Sequence, residues 1–156
     1  MKKVFVFAAL LLFSGLVRAC GSDAQRESMA KRLYEDADMQ KFVCGSDSCS
    51  MQDFERGLQF HQYDESFIGR VLSVCLVEPV FSAANSYTGV FVKRLDEFEF
   101  QFISYGTGVK VGVNKNGVPE ALEYSVSDPG NLDYYINQYL WNGMVFIFIK
   151  NIPLRK

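Results

Sequence analysis

The chain has 156 residues, a formal net charge of −2 and an aromatic content of 15%, made up of 14 Phe, 8 Tyr and 1 Trp. Setting aside residues 1–19 leaves 137 residues, with 13 basic against 18 acidic, a balance of −5. That length suits one domain; the balance argues against nucleic acid or an anionic membrane surface as partner and leaves a basic partner open.

The chain opens "MKKVFVFAALLLFSGLVRAC". Lys2 and Lys3 form a basic start, and Val4 to Val17 an apolar run too short for a comfortable membrane span. Val17 and Ala19 are the small residues of a cleavage site, so residues 1–19 are expected to be a signal peptide and residues 20–156 a single α+β domain. The stretch "LVRAC" also resembles a bacterial lipobox, in which Cys20 would be acylated; Arg18 departs from that pattern. Either route leads to an oxidising compartment, with the periplasm as the expected location.

Four cysteines remain, Cys20, Cys44, Cys49 and Cys75. Residues 24–43 read as one helix, which holds Cys20 and Cys44 about 30 Å apart at ~1.5 Å per residue. A bridge needs Cα atoms within about 7 Å, so a 20–44 bridge is set aside as long as that helix is unbroken. Two pairings stay open: Cys44–Cys49 with Cys20–Cys75, or Cys20–Cys49 with Cys44–Cys75. If Cys20 is acylated, one thiol is left odd. A zinc site is a poor reading of C-x4-C with no second pair and no nearby His.

Ser22 followed by Gln25 marks the helix start. Met29, Leu33 and Ala37 trace its apolar face, widened by Ala30 and Tyr34, and Gly45 stops it. "SMQDFERGLQFH" predicts a second, short helix with Phe54 and Leu58 one turn apart. From about Ser66 the period changes to two. "FIGRVLSVCLV" and "YTGVFVKR" read as strands, "LDE" as a turn. "EFEFQFISY" alternates, with Phe98, Phe100 and Phe102 expected on one face and Glu97, Glu99 and Gln101 on the other. "VKVGV" and "EALEYSV" extend it. Leu132, Tyr135, Ile136, Tyr139 and Leu140 also fit helical spacing, but Asn142-Gly143 predicts a two-residue hairpin that needs extended arms. "MVFIFI", apolar on both faces, is expected to be a central strand. The fold class is α+β: an N-terminal helix, with the short second helix, packed on one antiparallel sheet of about six to eight strands.

Few residues carry chemistry. His61 is the only histidine, and Glu97 and Glu99, two apart on a strand, could be a carboxylate pair for glycoside chemistry; a solvated strand face explains them as well. No Ser sits in G-x-S-x-G, and "YGTGVKVG" lacks the Lys and Ser/Thr of a phosphate loop. No cofactor is expected. Asn114, Asn116 and Glu120 are weak calcium candidates, because one carboxylate attracts a divalent ion poorly and an Asn-Gly turn explains the same residues.

Asn116, Gly117, Pro119 and Glu120, followed by Tyr139, Trp141, Asn142 and Gly143, form an N-G-x-P-[DE] turn, a strand and a Y-x-W-N-G hairpin. Over about 40 residues this resembles degenerate FG-GAP/VCBS-like segments of small periplasmic proteins akin to lysozyme inhibitors and immunity proteins. Asn stands at 114 and 116, where that pattern's calcium ligands would be acidic. The resemblance implies an inhibitory binder, not a hydrolase, whose partner is a secreted peptidoglycan-cleaving enzyme. Its contacts are expected in the loops holding Ser104, Tyr105, Gly106, Thr107 and Gly108, and Ser127, Asp128 and Asn131, with Tyr134 and Tyr135 nearby; a homodimer is compatible with that role. The alternatives are an envelope assembly protein, membrane-bound only if Cys20 is acylated, and, least favoured, a glycan hydrolase using Glu97 or His61.

Overall fold

The computed structural model of the chain describes residues 20–81, 85–126 and 134–154. The expected leader, residues 1–19, lies outside them, as do Ser127, Asp128 and Asn131.

Ser22 caps the first helix as its spacing predicts. Its hydroxyl accepts from the Gln25 N–H at 3.4 Å, and the Gln25 side chain accepts from the Ser22 N–H at 2.7 Å. The helix, α1 (Asp23–Tyr34), ends about two and a half turns earlier than expected. Asp36 is the reason. Its backbone is extended, and its carboxylate accepts from the Met39 N–H at 2.9 Å, opening a separate helix, α2 (Ala37–Cys44). Asp competes well for the free N–H groups of a helix start and poorly as an interior helix residue. The single helix over 24–43 is therefore two. Gly45 ends α2, and α3 (Met51–Arg56) is the expected short helix, capped by Ser50 and ended by Gly57.

Leu58 does not continue α3. It begins β1 (Leu58–Phe67), some eight residues before the expected change of period. β1 pairs with β2 (Arg70–Pro79) about Ile68-Gly69, and β3 (Ser86–Arg94) with β4 (Glu97–Gly106) about Leu95-Asp96. These four strands form one antiparallel sheet in the order β1-β2-β3-β4. β5 (Gly108–Val113), β6 (Pro119–Val126), β7 (Tyr134–Trp141) and β8 (Phe146–Leu154) form a second, in the order β5-β6-β7-β8. The α+β class stands, but the single sheet of six to eight strands is two sheets of four.

The first sheet is the middle layer. On one face, Cys75, Val77, Phe91 and Leu58 pack with Met29, Ala30, Leu33, Met39 and Phe54 of the helices. On the other, Leu72, Val74, Leu76, Val90 and Val92 meet Val111, Ala121 and Phe146 of the second sheet. β2 is thus covered on both sides, which is why "VLSVCLV" is apolar almost without break. Each fully buried large side chain here contributes about 1.5–3 kcal/mol. Gly89 lets α1 approach: a Cβ there would lie 2.7 Å from a Leu33 methyl. Arg32 lies over the Phe100 ring, 4.3 Å from its centroid.

β4 serves both layers because of a bulge. Val90 pairs with Phe102 and Phe91 with Phe100, so Gln101 is an extra residue in β4. The three phenylalanines expected on one face are split: Phe98 and Phe100, with Ile103, pack toward the helices, and Phe102 toward the second sheet. The Gln101 carbonyl oxygen of the side chain accepts from the Phe146 N–H at 3.2 Å, bonding β4 to β8.

Residues 134–141 are strand, as expected. The Asn142-Gly143 hairpin is wider than two residues: Trp141 pairs with Phe146, and Asn142 Oδ1 accepts from the N–H groups of Met144 and Val145, both at 2.9 Å. "MVFIFI" is not central. β8 is the edge of the second sheet, with Ile147, Phe148 and Ile149 exposed. An apolar run on both faces predicts double burial, but at this edge the consecutive Ile147 and Phe148 are 44% and 53% exposed, so both faces of β8 meet solvent.

Disulfides join Cys20 to Cys75 and Cys44 to Cys49, the first of the two open pairings. The Cys20 sulfur that a lipid thioether would need is committed to Cys75, so the disulfide form and a lipid anchor at Cys20 exclude each other. Both bridges suit a chain folded in an oxidising, extracytoplasmic compartment. Among the described residues no helix is long and apolar enough to cross a membrane.

Candidate functional site

The chain passes from one sheet to the other through the stretch expected to meet a partner. β4 ends at Gly106, Thr107 stands alone, and β5 begins at Gly108. The Thr107 N–H donates to the Tyr124 carbonyl at 2.8 Å. Gly106 presses against the same group, and a Cβ there would run into the Tyr124 carbonyl oxygen. The crossing is therefore pinned. Of its five residues, Ser104 and Gly106 are buried and cannot reach a partner, Tyr105 and Thr107 are exposed, and Gly108 is half-buried. Strand alternation dictates this, since the stretch is the end of β4 and not a free loop.

Tyr105 stands 51% exposed on the helix side of the first sheet. It pairs with Tyr87 across the β3–β4 ladder, with ring centroids 4.7 Å apart. Phe42 of α2 meets Tyr87 edge-on at 5.3 Å. These three rings, with Asp38 and Lys41, line a surface cavity of about 440 Å³. Burial raises the Tyr87 hydroxyl above its ordinary range, and the charge of Asp38, then Tyr105 and Asp36, pushes the same way. Phe42, Tyr87 and Asp38 were not singled out in the sequence. Phe42 reads as the end of an apolar helix face and Tyr87 as one of many strand aromatics.

Ser104 turns inward to a polar cluster between the sheets. Glu123 of β6 is only 7% exposed, and four side chains reach its carboxylate. Ser104 Oγ donates to Oε1 at 3.0 Å; Asn137 Nδ2 and Tyr139 Oη donate to Oε2 at 3.1 and 2.9 Å. The Ser125 hydroxyl lies 3.2 Å from Oε1 and 3.0 Å from the Tyr105 carbonyl, with one proton for the two. Asn151 donates to Asn137 at 3.0 Å, extending the network to β8. Burial first, then the hydrogen bond to Glu123 and its charge, raises the Tyr139 hydroxyl far above its ordinary range, which keeps it a donor. The donors are hydroxyls and amides, and the arrangement spans β4, β6, β7 and β8. A satisfied buried network of this kind fixes one relative placement of the elements it joins. The signal in the sequence was the alternation Ala121, Glu123, Ser125 on one face of "EALEYSV".

The other candidates are scattered. Tyr134 and Tyr135 point to opposite faces of β7. Tyr134 is on the outer face, 39% exposed, and Tyr135 is half-buried and pairs with Ser125, which places it near the crossing. Asn114 Oδ1 accepts from the N–H groups of Asn116 and Val118 at 2.9 and 3.1 Å, and Glu120 accepts from Gln138 at 2.7 Å. The stretch 114–118 is thus a closed turn whose amide oxygen already has two donors. Glu99 pairs with Arg94 at 3.1 Å on an exposed strand face. His61 sits half-buried in β1, across from Leu76 and apart from Glu97 at the far turn of β4. Among the described residues no three His, Cys, Asp or Glu side chains gather as metal ligands would.

Comparison with family models, with curated proteins and with solved structures finds no match to this chain.

Proposed function

We propose that the chain is an exported, periplasmic binding protein that sterically inhibits a secreted peptidoglycan-cleaving enzyme, in the manner of an immunity protein or lysozyme inhibitor. The observation that carries this reading is Tyr105: a large aromatic, half in solvent, on a backbone pinned where two sheets meet. A rigid aromatic anchor loses little entropy on binding, so more of its contact energy appears as affinity. Two disulfides stiffen the layers beneath it. The acidic balance supports a basic enzyme as partner and would speed its encounter. Titration calorimetry of the oxidised protein against basic peptidoglycan hydrolases tests this. One-to-one binding that weakens with salt is expected; no heat with any of them sinks the reading.

A second reading, an envelope assembly protein, is favoured by β8. Its edge carries Ile147, Phe148 and Ile149 at 44%, 53% and 48% exposure, beside Met144 and Val145 in the adjoining turn. An exposed apolar edge is a surface for another chain, including a second copy. Light scattering separates the two. A stable oligomer larger than a dimer, broken by Ile149→Lys, favours assembly, whereas a monomer or dimer favours the inhibitor.

A further inference from the structure

We infer that the cavity between α2 and the β3–β4 ladder receives an arginine side chain of a basic protein partner, a refinement that rests on the protein-binding role proposed above. The wall is aromatic on two elements: Phe42 from α2, Tyr87 and Tyr105 from the ladder. Ring faces attract cations, and a guanidinium does this while lying flat against them. The rim is acidic. Asp38 is exposed at the start of α2 and makes no ion pair among the described residues, and Asp36 lies behind it with one oxygen already bonded to the Met39 N–H. Lys41 lines the same cavity. Two carboxylates against one ammonium leave the mouth negative, and the Tyr87 hydroxyl responds to both carboxylates in that sense.

Arginine fits this set better than lysine. Its plane can lie on Tyr105 while its fork of N–H groups reaches the Asp38 carboxylate, and a compact ammonium can do only one of these well. Because Tyr105 is 51% exposed, the cavity is open to solvent and suits a side chain reaching in from a second surface, with the balance of −5 on residues 20–156 drawing a basic one.

The test titrates N-acetyl-arginine-N-methylamide into the oxidised protein and follows the ring and amide resonances of Phe42, Tyr87 and Tyr105 by NMR. The citrulline analogue, neutral and nearly isosteric, is the control, and the lysine analogue the competitor. The arginine compound is expected to shift these resonances in a saturable way and citrulline to leave them in place. Asp38→Asn is expected to weaken the response about threefold and Tyr105→Ala to remove it. Asp38 is exposed and Tyr105 half in solvent, so both variants are expected to keep the fold, which a retained cooperative melting transition verifies. Equal shifts with citrulline, shifts confined to other residues, or a full response in Asp38→Asn overturn the inference. If arginine binds here but no peptidoglycan hydrolase does, the inference stands and the proposed function falls. If a hydrolase binds with affinity indifferent to both variants, the function stands and the inference falls.

Discussion

The Phe102 ring lies flat on the Tyr139 ring, with centroids 4.4 Å apart and planes 12° from parallel. One belongs to the first sheet and the other to the second, and Phe102 faces that way only because Gln101 is an extra residue in β4. The same Tyr139 donates its hydroxyl to Glu123. A stacked ring and a buried hydrogen bond thus meet in one side chain at the seam between the sheets.

Tyr139→Phe keeps the stack and removes one donor from Glu123. It is expected to cost about 1–2 kcal/mol, read from the urea midpoint. Its pH dependence gives the sign. Tyr139 holds its proton more tightly in the fold than in the unfolded chain, so its contribution is complete below the unfolded tyrosine value of 10.0 and is lost as pH rises past it. Unfolding followed from about pH 8 to about pH 11 should show a smaller alkaline loss in Tyr139→Phe than in the native chain. Identical alkaline slopes would remove Tyr139 from this role.

Gly106→Ala forces a methyl group against the Tyr124 carbonyl. Backbone on both sides leaves little room to yield, so a loss of about 2–3 kcal/mol is expected. Gly112→Ala, where a Cβ meets open space, is the control and should cost far less. Equal melting temperatures for the two variants would contradict the close approach of β4 to β6.

Removing the Cys20–Cys75 bridge by paired Cys→Ser changes frees a loop spanning 55 residues and should cost about 4 kcal/mol on the chain-entropy estimate. The Cys44–Cys49 bridge spans 5 residues and should cost about 2 kcal/mol. Denaturation of the two double variants orders them. A larger loss from the short loop would show that α2 depends on its bridge more than the sheet depends on the N-terminal one.

Leu95 is 97% exposed at the β3–β4 turn with φ of 54°, a left-handed conformation that costs a branched residue about 1–2 kcal/mol. Leu95→Gly is expected to raise the melting temperature by relieving it. A lower melting temperature would mean that the leucine side chain contributes to stability in some other way.

Much of this architecture was legible because local chemistry decides it. Ser22 and Gln25 announce α1, Gly45 stops α2, and the alternation of β4 is visible before any fold is known. What stayed hidden depends on tertiary partners. Asp36 looks like a surface residue of a long helix until its carboxylate caps the next one. The Gln101 bulge leaves no trace in a period-2 pattern, yet it moves Phe102 to the other layer. "MVFIFI" reads as central because periodicity reports apolar faces and not what covers them. Ser104 was expected at a partner surface, and strand alternation turned it to Glu123. The cavity of Phe42, Tyr87 and Tyr105 joins α2 to a hairpin distant from it in sequence, so no single motif could mark it.

Turnover of peptidoglycan by secreted, basic cell-wall hydrolases, measured as the oxidised protein is added, tests the central claim most directly. The account predicts that at least one enzyme is inhibited at an equimolar ratio, and that Tyr105→Ala relieves the inhibition while leaving the fold intact. Full turnover by every enzyme at saturating protein would contradict it, whereas inhibition indifferent to Tyr105 would leave the inhibitor and move its anchor elsewhere.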